Sequence, residues 1–238
     1  EVMDDLGEWV TKTEGTDFSV DKAAGKITFF TPPGKTPVEG KDNVIITAKK
    51  CVSESKAKIN GCRRSIAFGD GGSANRIFVC GNREMPGTDF WCAVNDPTYW
   101  PDSYYGEPGG GDAEIMGYSV IDGKLGTHMK PAADGRSIIF RSASLDDRGK
   151  ATYPVTGFLQ GEEAAAPCAF VFMETEPLFI TERGVYAATA GDIDGWFYTQ
   201  NRSYFINRAL CAEEGLENAF GAKWKHFYVI GINSKLYL

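Results

Sequence analysis

Four apolar segments that recur along the chain place the strongest constraint on its fold. They begin at Arg76, Tyr118, Phe170 and Trp224, so that successive starts lie 42, 52 and 54 residues apart. Each segment begins as an apolar strand, and the later three continue through a polar turn into a return strand. A propeller blade uses about 40–50 residues for four short strands. The recurrence therefore predicts a mainly β fold built of propeller-like antiparallel blades.

The residues between these strands support the same prediction. Asp122-Gly123, Arg183-Gly184 and Asn233-Ser234 stand where the tips of three hairpins are expected, and such pairs suit tight turns. A content of 28 Gly, 11 Pro and 13% aromatic residues is typical of short strands joined by tight loops. Helices are predicted only around 207–212 and 216–220. Unrelated antiparallel hairpins in a β-sandwich are the alternative explanation of the pattern.

Two domains are expected, with a boundary near residue 50. Residues 1–50 read as a small, insertion-like β-unit with alternating segments at 18–20, 26–31 and 43–47. Residues 51–238 form the propeller-like domain. The chain begins at Glu1 without an initiator Met and ends inside an apolar strand pattern at 235–238. We therefore expect a fragment of a longer protein, with a set of blades that is incomplete at the C-terminal end.

Charge and hydropathy exclude two classes of partner. The net charge is −7, and the 25 basic residues are scattered among 32 acidic ones. A surface that grips nucleic acid needs clustered Lys and Arg to displace counterions from phosphates. No stretch approaches the roughly 20 consecutive apolar residues that a membrane-spanning helix needs. The sequence therefore predicts neither a DNA-gripping surface nor a membrane anchor.

The six cysteines predict neither a metal site nor a disulfide framework. They contain no Cys-x-x-Cys pair and no histidine at ligand spacing, which tetrahedral zinc sites require. Cys80 and Cys168 open or close apolar runs and are interpreted as small buried hydrophobic residues. A bridge between Cys51 and Cys62 across a short loop is the open alternative. Free thiols fit assembly in a reducing cytoplasm. We expect no metal and no cofactor.

No motif in the chain assembles a catalytic centre. The two histidines, His128 and His226, lie near no nucleophile motif, and no Gly-x-Ser-x-Gly elbow is present. The glycine-rich stretches at 69–73 and 109–111 lack the flanking residues of phosphate-binding loops and are interpreted as turns. The acidic stretch at 192–195 lacks the distal Glu of a calcium loop. Glu174 and Glu176 are interpreted as a solvent-facing strand end rather than as a glycosidase pair. The chain is predicted not to be an enzyme.

The aromatic insert is the one stretch that suggests a binding function. Within residues 83–114, which are rich in Pro, Gly and Asp, five aromatic side chains form the candidate interaction surface: Trp91, Tyr99, Trp100, Tyr104 and Tyr105. Stacked rings beside Asp and Asn can hold the face of a sugar or bury against a partner chain. The alternative is that these rings cover the end of the β-domain itself.

Several strings, taken in order and spacing, resemble structural proteins of bacteriophage and prophage particles. These tail and head-to-tail proteins are described as stabilisation, nozzle or hub proteins with a β-propeller body. The similar stretches cover most of residues 51–238: Asn75–Asn82, Asp89–Trp91, Asn95–Asp102, Ile115–Tyr118, Pro177–Tyr186, Gln200–Asn207 and Leu216–Phe220. The unit at 1–50 resembles a small β-insertion found in such proteins. No catalytic residues come with this resemblance.

The resemblance implies a non-enzymatic structural role in the virion, with assembly in the bacterial cytoplasm. It implies that copies of the chain pack side by side and against other particle proteins, around a passive conduit for DNA. A net charge of −7 suits a duct that repels DNA rather than one that holds it. The first alternative is a carbohydrate-binding or glycan-processing β-domain that uses the aromatic insert at 91–105. The second is a propeller scaffold for host proteins.

Overall fold

The computed structural model describes residues 1–37, 39–48, 52–69, 73–110, 112–132, 135–145, 151–174, 176–190 and 197–238. The chain divides into two compact units, Glu1–Cys51 and Val52–Leu238. Within the described residues, the first unit holds two small hairpins, and the second holds four larger antiparallel sheets and one separate two-stranded hairpin.

The N-terminal unit consists of short antiparallel pairs. Its strands are β1 (Val2–Met3), β2 (Trp9–Val10), β3 (Phe18–Asp21) and β4 (Lys26–Phe29). The expected β3–β4 hairpin is confirmed, with alternating half-buried and exposed side chains in both strands. The expected strand at 43–47 is wrong: only Val44 forms a bridge, with Val2. Its partner β1 is two residues long, so pairing ends almost where it begins.

The C-terminal unit is a propeller-like ring of four blades. The recurrent segments predict the propeller-like antiparallel blades but not their number. Blade 1 contains β5 (Arg64–Phe68), β6 (Arg76–Cys80), β7 (Asp89–Trp91) and β8 (Tyr105–Gly106). Blade 2 contains β9 (Glu114–Ile121), β10 (Lys124–Lys130), β11 (Arg136–Arg141) and β14 (Val155–Gln160), with the small hairpin of β12 (Ser144–Leu145) and β13 (Ala151–Thr152) between its last two strands. Blade 3 contains β15 (Val171–Met173), β16 (Glu176–Thr181), β17 (Gly184–Ala190) and β18 (Phe197–Asn201). Blade 4 contains β19 (Phe220–Trp224), β20 (Phe227–Ile232) and β21 (Lys235–Tyr237).

Three hydrophobic clusters join consecutive blades. The cluster between blades 1 and 2 contains Phe78 and Leu125. The cluster between blades 2 and 3 contains Phe140 and Phe179. The cluster between blades 3 and 4 contains Ile180 and Ile230. Successive residues of a strand point to opposite faces, so Phe179 packs toward blade 2 while its neighbour Ile180 packs toward blade 4. Burial on both faces explains why the central strands read as continuous apolar runs.

The hairpin tips lie close to their expected positions. Asp122 and Gly123 both adopt left-handed backbone conformations, with φ of 49° and 67°, and Asn233 and Ser234 do the same, with φ of 49° and 59°. Two consecutive left-handed residues characterise the turn whose twist matches that of paired strands. In blade 3 the tip falls one residue earlier than expected, so that Gly184 is already the first residue of β17.

In the part of this unit that the structure describes there are also three short helices: α1 (Ser53–Asn60), α2 (Asn207–Leu210) and a 3-10 helix (Leu216–Asn218). The latter two confirm the predicted helices. The expectation that no other helix exists is wrong, because α1 precedes blade 1. None of the α1 residues is buried, so its sequence lacks the apolar periodicity by which a helix is recognised. Its Glu, Lys and Ala residues, all good helix formers, are the remaining signal.

The contact between blades 2 and 3 tolerates no side chain at Gly117. A Cβ atom there would lie 2.6 Å from a ring carbon of Phe170. We expect Gly117→Ala to lower the free energy of unfolding by about 1–3 kcal/mol, because the ring must move within a packed interface. Gly157→Ala is the matched control, since that strand glycine has no atom within 4 Å of the added carbon. Urea denaturation of both variants measures the difference, and equal midpoints would contradict the described packing.

Candidate functional site

The aromatic insert divides into a buried part and an exposed part. Trp91, at the end of β7, is only 6% exposed. Its ring stacks on Phe78 at 5.3 Å and on Tyr104 at 6.1 Å, and it meets Tyr153 edge-on at 5.2 Å. Trp91 therefore belongs to the cluster that joins blades 1 and 2.

The other four rings of the insert reach the surface to different degrees. Tyr99, Trp100 and Tyr104 are half-buried, and Tyr105 is 52% exposed. The Trp100 ring is fixed by a hydrogen bond that its Nε1 donates to the Pro97 carbonyl, at 2.9 Å. The guanidinium of Arg76 lies over the Tyr104 ring, 5.4 Å from its centre.

A groove of about 520 Å³ brings three of these rings together with α1. We call it the α1 groove; its aromatic and apolar lining includes Ile59, Met85, Phe90, Trp100, Tyr104 and Tyr105. Ser55 of α1 donates a hydrogen bond to the Asp102 carboxylate of the insert, at 2.9 Å. Asn82 ties the other end of α1 to blade 1, because its side-chain amide donates to the Lys58 carbonyl at 2.9 Å.

The charges of the α1 groove are predominantly negative. Glu54, Asp102 and Glu107 line it and are exposed, and among the described residues Lys58 is the one cationic side chain in its lining. Flat rings beside carboxylates can accept a sugar face, or a segment that combines aromatic and cationic side chains. Sequence reasoning found the rings but missed the wall formed by α1 and Glu54.

A second groove, of about 460 Å³, lies between the outer parts of blades 1 and 2. Tyr105 and Glu107 line it as well as the α1 groove, so the segment around β8 separates the two. The opposite wall is formed by residues 151–155.

Beneath this second groove, a buried ion pair links blades 1 and 2. Arg141 donates to both carboxylate oxygens of Asp89, one of these bonds measuring 3.1 Å, and also to the Thr127 hydroxyl at 2.9 Å. The Tyr118 hydroxyl donates to Asp89 at 3.1 Å. Burial, and next the Asp89 carboxylate, raise the pKa of Tyr118 well above its usual value. Each of these side chains contacts another member of the network, although the buried Arg141 Nε has no hydrogen-bond partner among the described residues. The network joins the two blades.

The two histidines have opposite surroundings. His128 lies in the middle of β10 and is fully buried. Its Nε2 pairs with the Ser119 hydroxyl at 3.0 Å, and the rings of Phe170 and Phe179 pack against it edge-on. Burial lowers the pKa of His128 to about 3. His226, at the tip of the β19–β20 hairpin, has a side chain that is 89% exposed.

The described cysteines are free thiols. Cys80 is buried, as expected, and burial raises its pKa to about 12 and that of Cys62 to about 11. The expectation for Cys168 is wrong: it is exposed. Its backbone pairs with the start of β19, and because successive side chains of an extended segment point to opposite faces, the buried neighbour Ala169 leaves Cys168 on the solvent side. The proposed partner of Cys62, Cys51, lies outside the described residues.

The remaining candidate motifs do not assemble a site. Glu176 forms an ion pair with Arg202, and the start of the 109–111 stretch is a turn. Residues 70–72 and 191–196 lie outside the described residues. Among the residues described, no group of His, Cys, Asp and Glu side chains is arranged to hold a metal ion. None of the helices seen in the described ranges has the length and apolar character needed to cross a membrane.

Blade 4 carries an apolar face that sequence reasoning did not single out. The strand register places Trp224 opposite Phe227, Ala222 opposite Val229, and Phe220 opposite Gly231, which itself pairs with Leu236. Directly paired residues share a face of a sheet. The large members of this face are exposed: Phe220, Trp224, Phe227 and Leu236. We call it the outer face of blade 4. The sequence signal for this face is the alternation in β19, where Phe220 and Trp224 lie on the same side of the strand.

A second exposed apolar site lies between β18 and α2. Tyr204 and Phe205 are 79% and 97% exposed, and their rings contact each other edge-on at 5.6 Å. Two adjacent aromatic side chains held in water are unusual on a protein that functions alone, because their burial is strongly favourable.

In comparisons with known proteins, no protein-family model and no curated protein matches this chain.

Proposed function

We propose that this chain is a non-enzymatic structural component of a phage or prophage particle that acts through packing of its propeller-like unit against neighbouring subunits. The observation that carries the proposal is the outer face of blade 4. Its four large apolar side chains lie on one side of a regular sheet. Burying them against a partner is favourable by about 25 cal/mol of free energy for each Å² of apolar surface removed from water.

The exposed pair Tyr204 and Phe205 supports the same role, because aromatic residues are enriched where protein surfaces meet. The particle itself, the virion location and assembly in the bacterial cytoplasm are proposed from the resemblance of residues 51–238 to tail and head-to-tail proteins. Other copies of the chain and other particle proteins are the proposed partners, and DNA passes without being held, in keeping with the net charge of −7.

Purified particles test this proposal. An antibody against the chain is expected to detect it at constant stoichiometry in density-gradient-purified particles from the cells that encode it. Detection only in the soluble fraction, with none in the particles, would exclude a structural role in the virion.

A carbohydrate-binding role is the second candidate, and the α1 groove is the observation that favours it. Trp100 and Tyr105 line this groove beside three carboxylates. Under this alternative, sugars would change the tryptophan fluorescence in a saturable manner, and Trp100→Ala would abolish the change. Under the structural proposal, neither wild-type protein nor Trp100→Ala responds to a glycan panel.

A further inference from the structure

We propose that the tip of blade 4 in one copy of the chain docks in the α1 groove of a second copy. The tip, called here the blade-4 tip, is residues 223–227, the turn between β19 and β20 and its flanking residues. The inference rests on the proposed function, for which it names the two contacting surfaces and the partner.

The blade-4 tip is both aromatic and cationic. Trp224 and Phe227 stack at 6.1 Å and are about half exposed, and the Lys225 ammonium lies 4.9 Å from the centre of the Trp224 ring. Lys223 is exposed beside them. Residues 220–238 contain three lysines and no Asp or Glu, although the whole chain has a net charge of −7. One acidic side chain, Glu174, lies next to the tip, with its Oε1 atom 3.9 Å from the Nδ1 atom of His226.

The α1 groove has the complementary character. Its rings offer faces on which an aromatic side chain and a lysine stem can pack. Glu54 and Glu107 are exposed carboxylates in its lining, and Asp102 is held at its edge by Ser55. Opposite charges at the border of an apolar contact favour one orientation of the partners and accelerate their encounter.

Charge complementarity matches the blade-4 tip with the α1 groove rather than either surface with itself. A symmetric contact between two blade-4 tips would place lysines against lysines, and one between two α1 grooves would place carboxylates against carboxylates. Because like charges that face each other across an interface are unfavourable, the tip of one copy is matched with the groove of the next. A single tip–groove contact leaves a free tip and a free groove at the two ends of a pair, so further copies can add, whereas two reciprocal contacts close a two-fold symmetric dimer.

Charge-reversal variants test the contact in the intact chain. In sedimentation velocity, wild-type protein is expected to self-associate as its concentration rises. The association should weaken when the salt is raised from about 0.1 M to about 1 M, because the electrostatic screening length falls from about 10 Å to about 3 Å. Lys223→Glu/Lys225→Glu and Glu54→Lys/Glu107→Lys should each weaken association by about tenfold or more, as loss of at least 1.4 kcal/mol requires. All four positions are exposed, so the variants should fold.

Mixing the two variants supplies the decisive measurement. The acidic tip of one variant then matches the basic groove of the other, so the mixture should associate while each variant alone does not. Lys22→Glu/Lys26→Glu, at exposed lysines of the N-terminal unit, is the matched control and should associate like wild type. If each reversed variant self-associated as strongly as wild type does, this contact would be overturned, but the proposed function would stand. A wild type that stays monomeric would also overturn the contact, whereas only its absence from purified particles would overturn the function.

Discussion

Replacing Asp89 with Asn is expected to lower the free energy of unfolding by about 3–5 kcal/mol, because it leaves the Arg141 guanidinium buried without its counterion. Both side chains are almost completely buried. Burial by itself lowers the pKa of Arg141, but the Asp89 carboxylate outweighs this and raises it in the wild-type protein. Arginine is not deprotonated in proteins, so the guanidinium also stays charged in the variant. Urea denaturation at neutral pH measures the loss.

The control for this prediction is an ion pair of the same type at the surface. Arg183 and Glu162 are 2.9 Å apart, but the Arg183 side chain is 75% exposed. Glu162→Gln should cost less than about 1 kcal/mol, since water solvates the arginine that remains. If Asp89→Asn cost no more than Glu162→Gln, the ion pair between blades 1 and 2 would not be excluded from water.

Below neutral pH, His128 is expected to give the protein a specific sensitivity to acid. Its pKa is lowered by burial to about 3 in the folded chain, against 6.5 as the ordinary value. Between these two pH values the unfolded chain binds a proton that the folded chain does not. Stability is therefore lost as pH falls from about 6.5 toward about 3, at up to about 1.4 kcal/mol per pH unit from this group alone.

Comparison of variants isolates the contribution of this histidine. Carboxylates also titrate in this range, so the quantity to measure is the difference in pH dependence between wild type and His128→Gln. The variant should lose stability less steeply between pH 6.5 and 4, whatever its stability at neutral pH. His226→Gln, which replaces the exposed histidine, is the matched control. Parallel profiles for wild type and His128→Gln would show that His128 is protonated within the fold.

Much of the architecture could be predicted from the sequence because each blade is a local structure. The hairpin Tyr118–Leu125 contains its own strands, turn and register, and an apolar run that ends in a left-handed turn is sufficient to indicate it. Helix α1 could not be found in this way because it buries nothing. The strand predicted at 43–47 does not form: the segment has the composition of a strand, but the strand it pairs with, β1, is only two residues long.

The candidate surfaces were less predictable, because exposure depends on contacts between distant residues. Trp91 and Tyr105 belong to the same aromatic stretch, yet one packs in the blade 1–blade 2 cluster and the other lies in water. That difference is produced by Tyr153 of a later segment, which covers Trp91. The α1 groove likewise joins residues some fifty positions apart, Ser55 and Asp102. No local pattern encodes such pairs.

The contiguity of each blade in sequence has a consequence for biosynthesis. Hairpins form within about 1–10 μs, whereas a ribosome adds about 5–20 residues per second, so a finished blade waits seconds for its successor. During that interval the newest sheet has one covered face and one apolar face in water, as the outer face of blade 4 has here. Nascent chains paused after any blade are thus expected to recruit chaperones, and slowing translation should increase their aggregation.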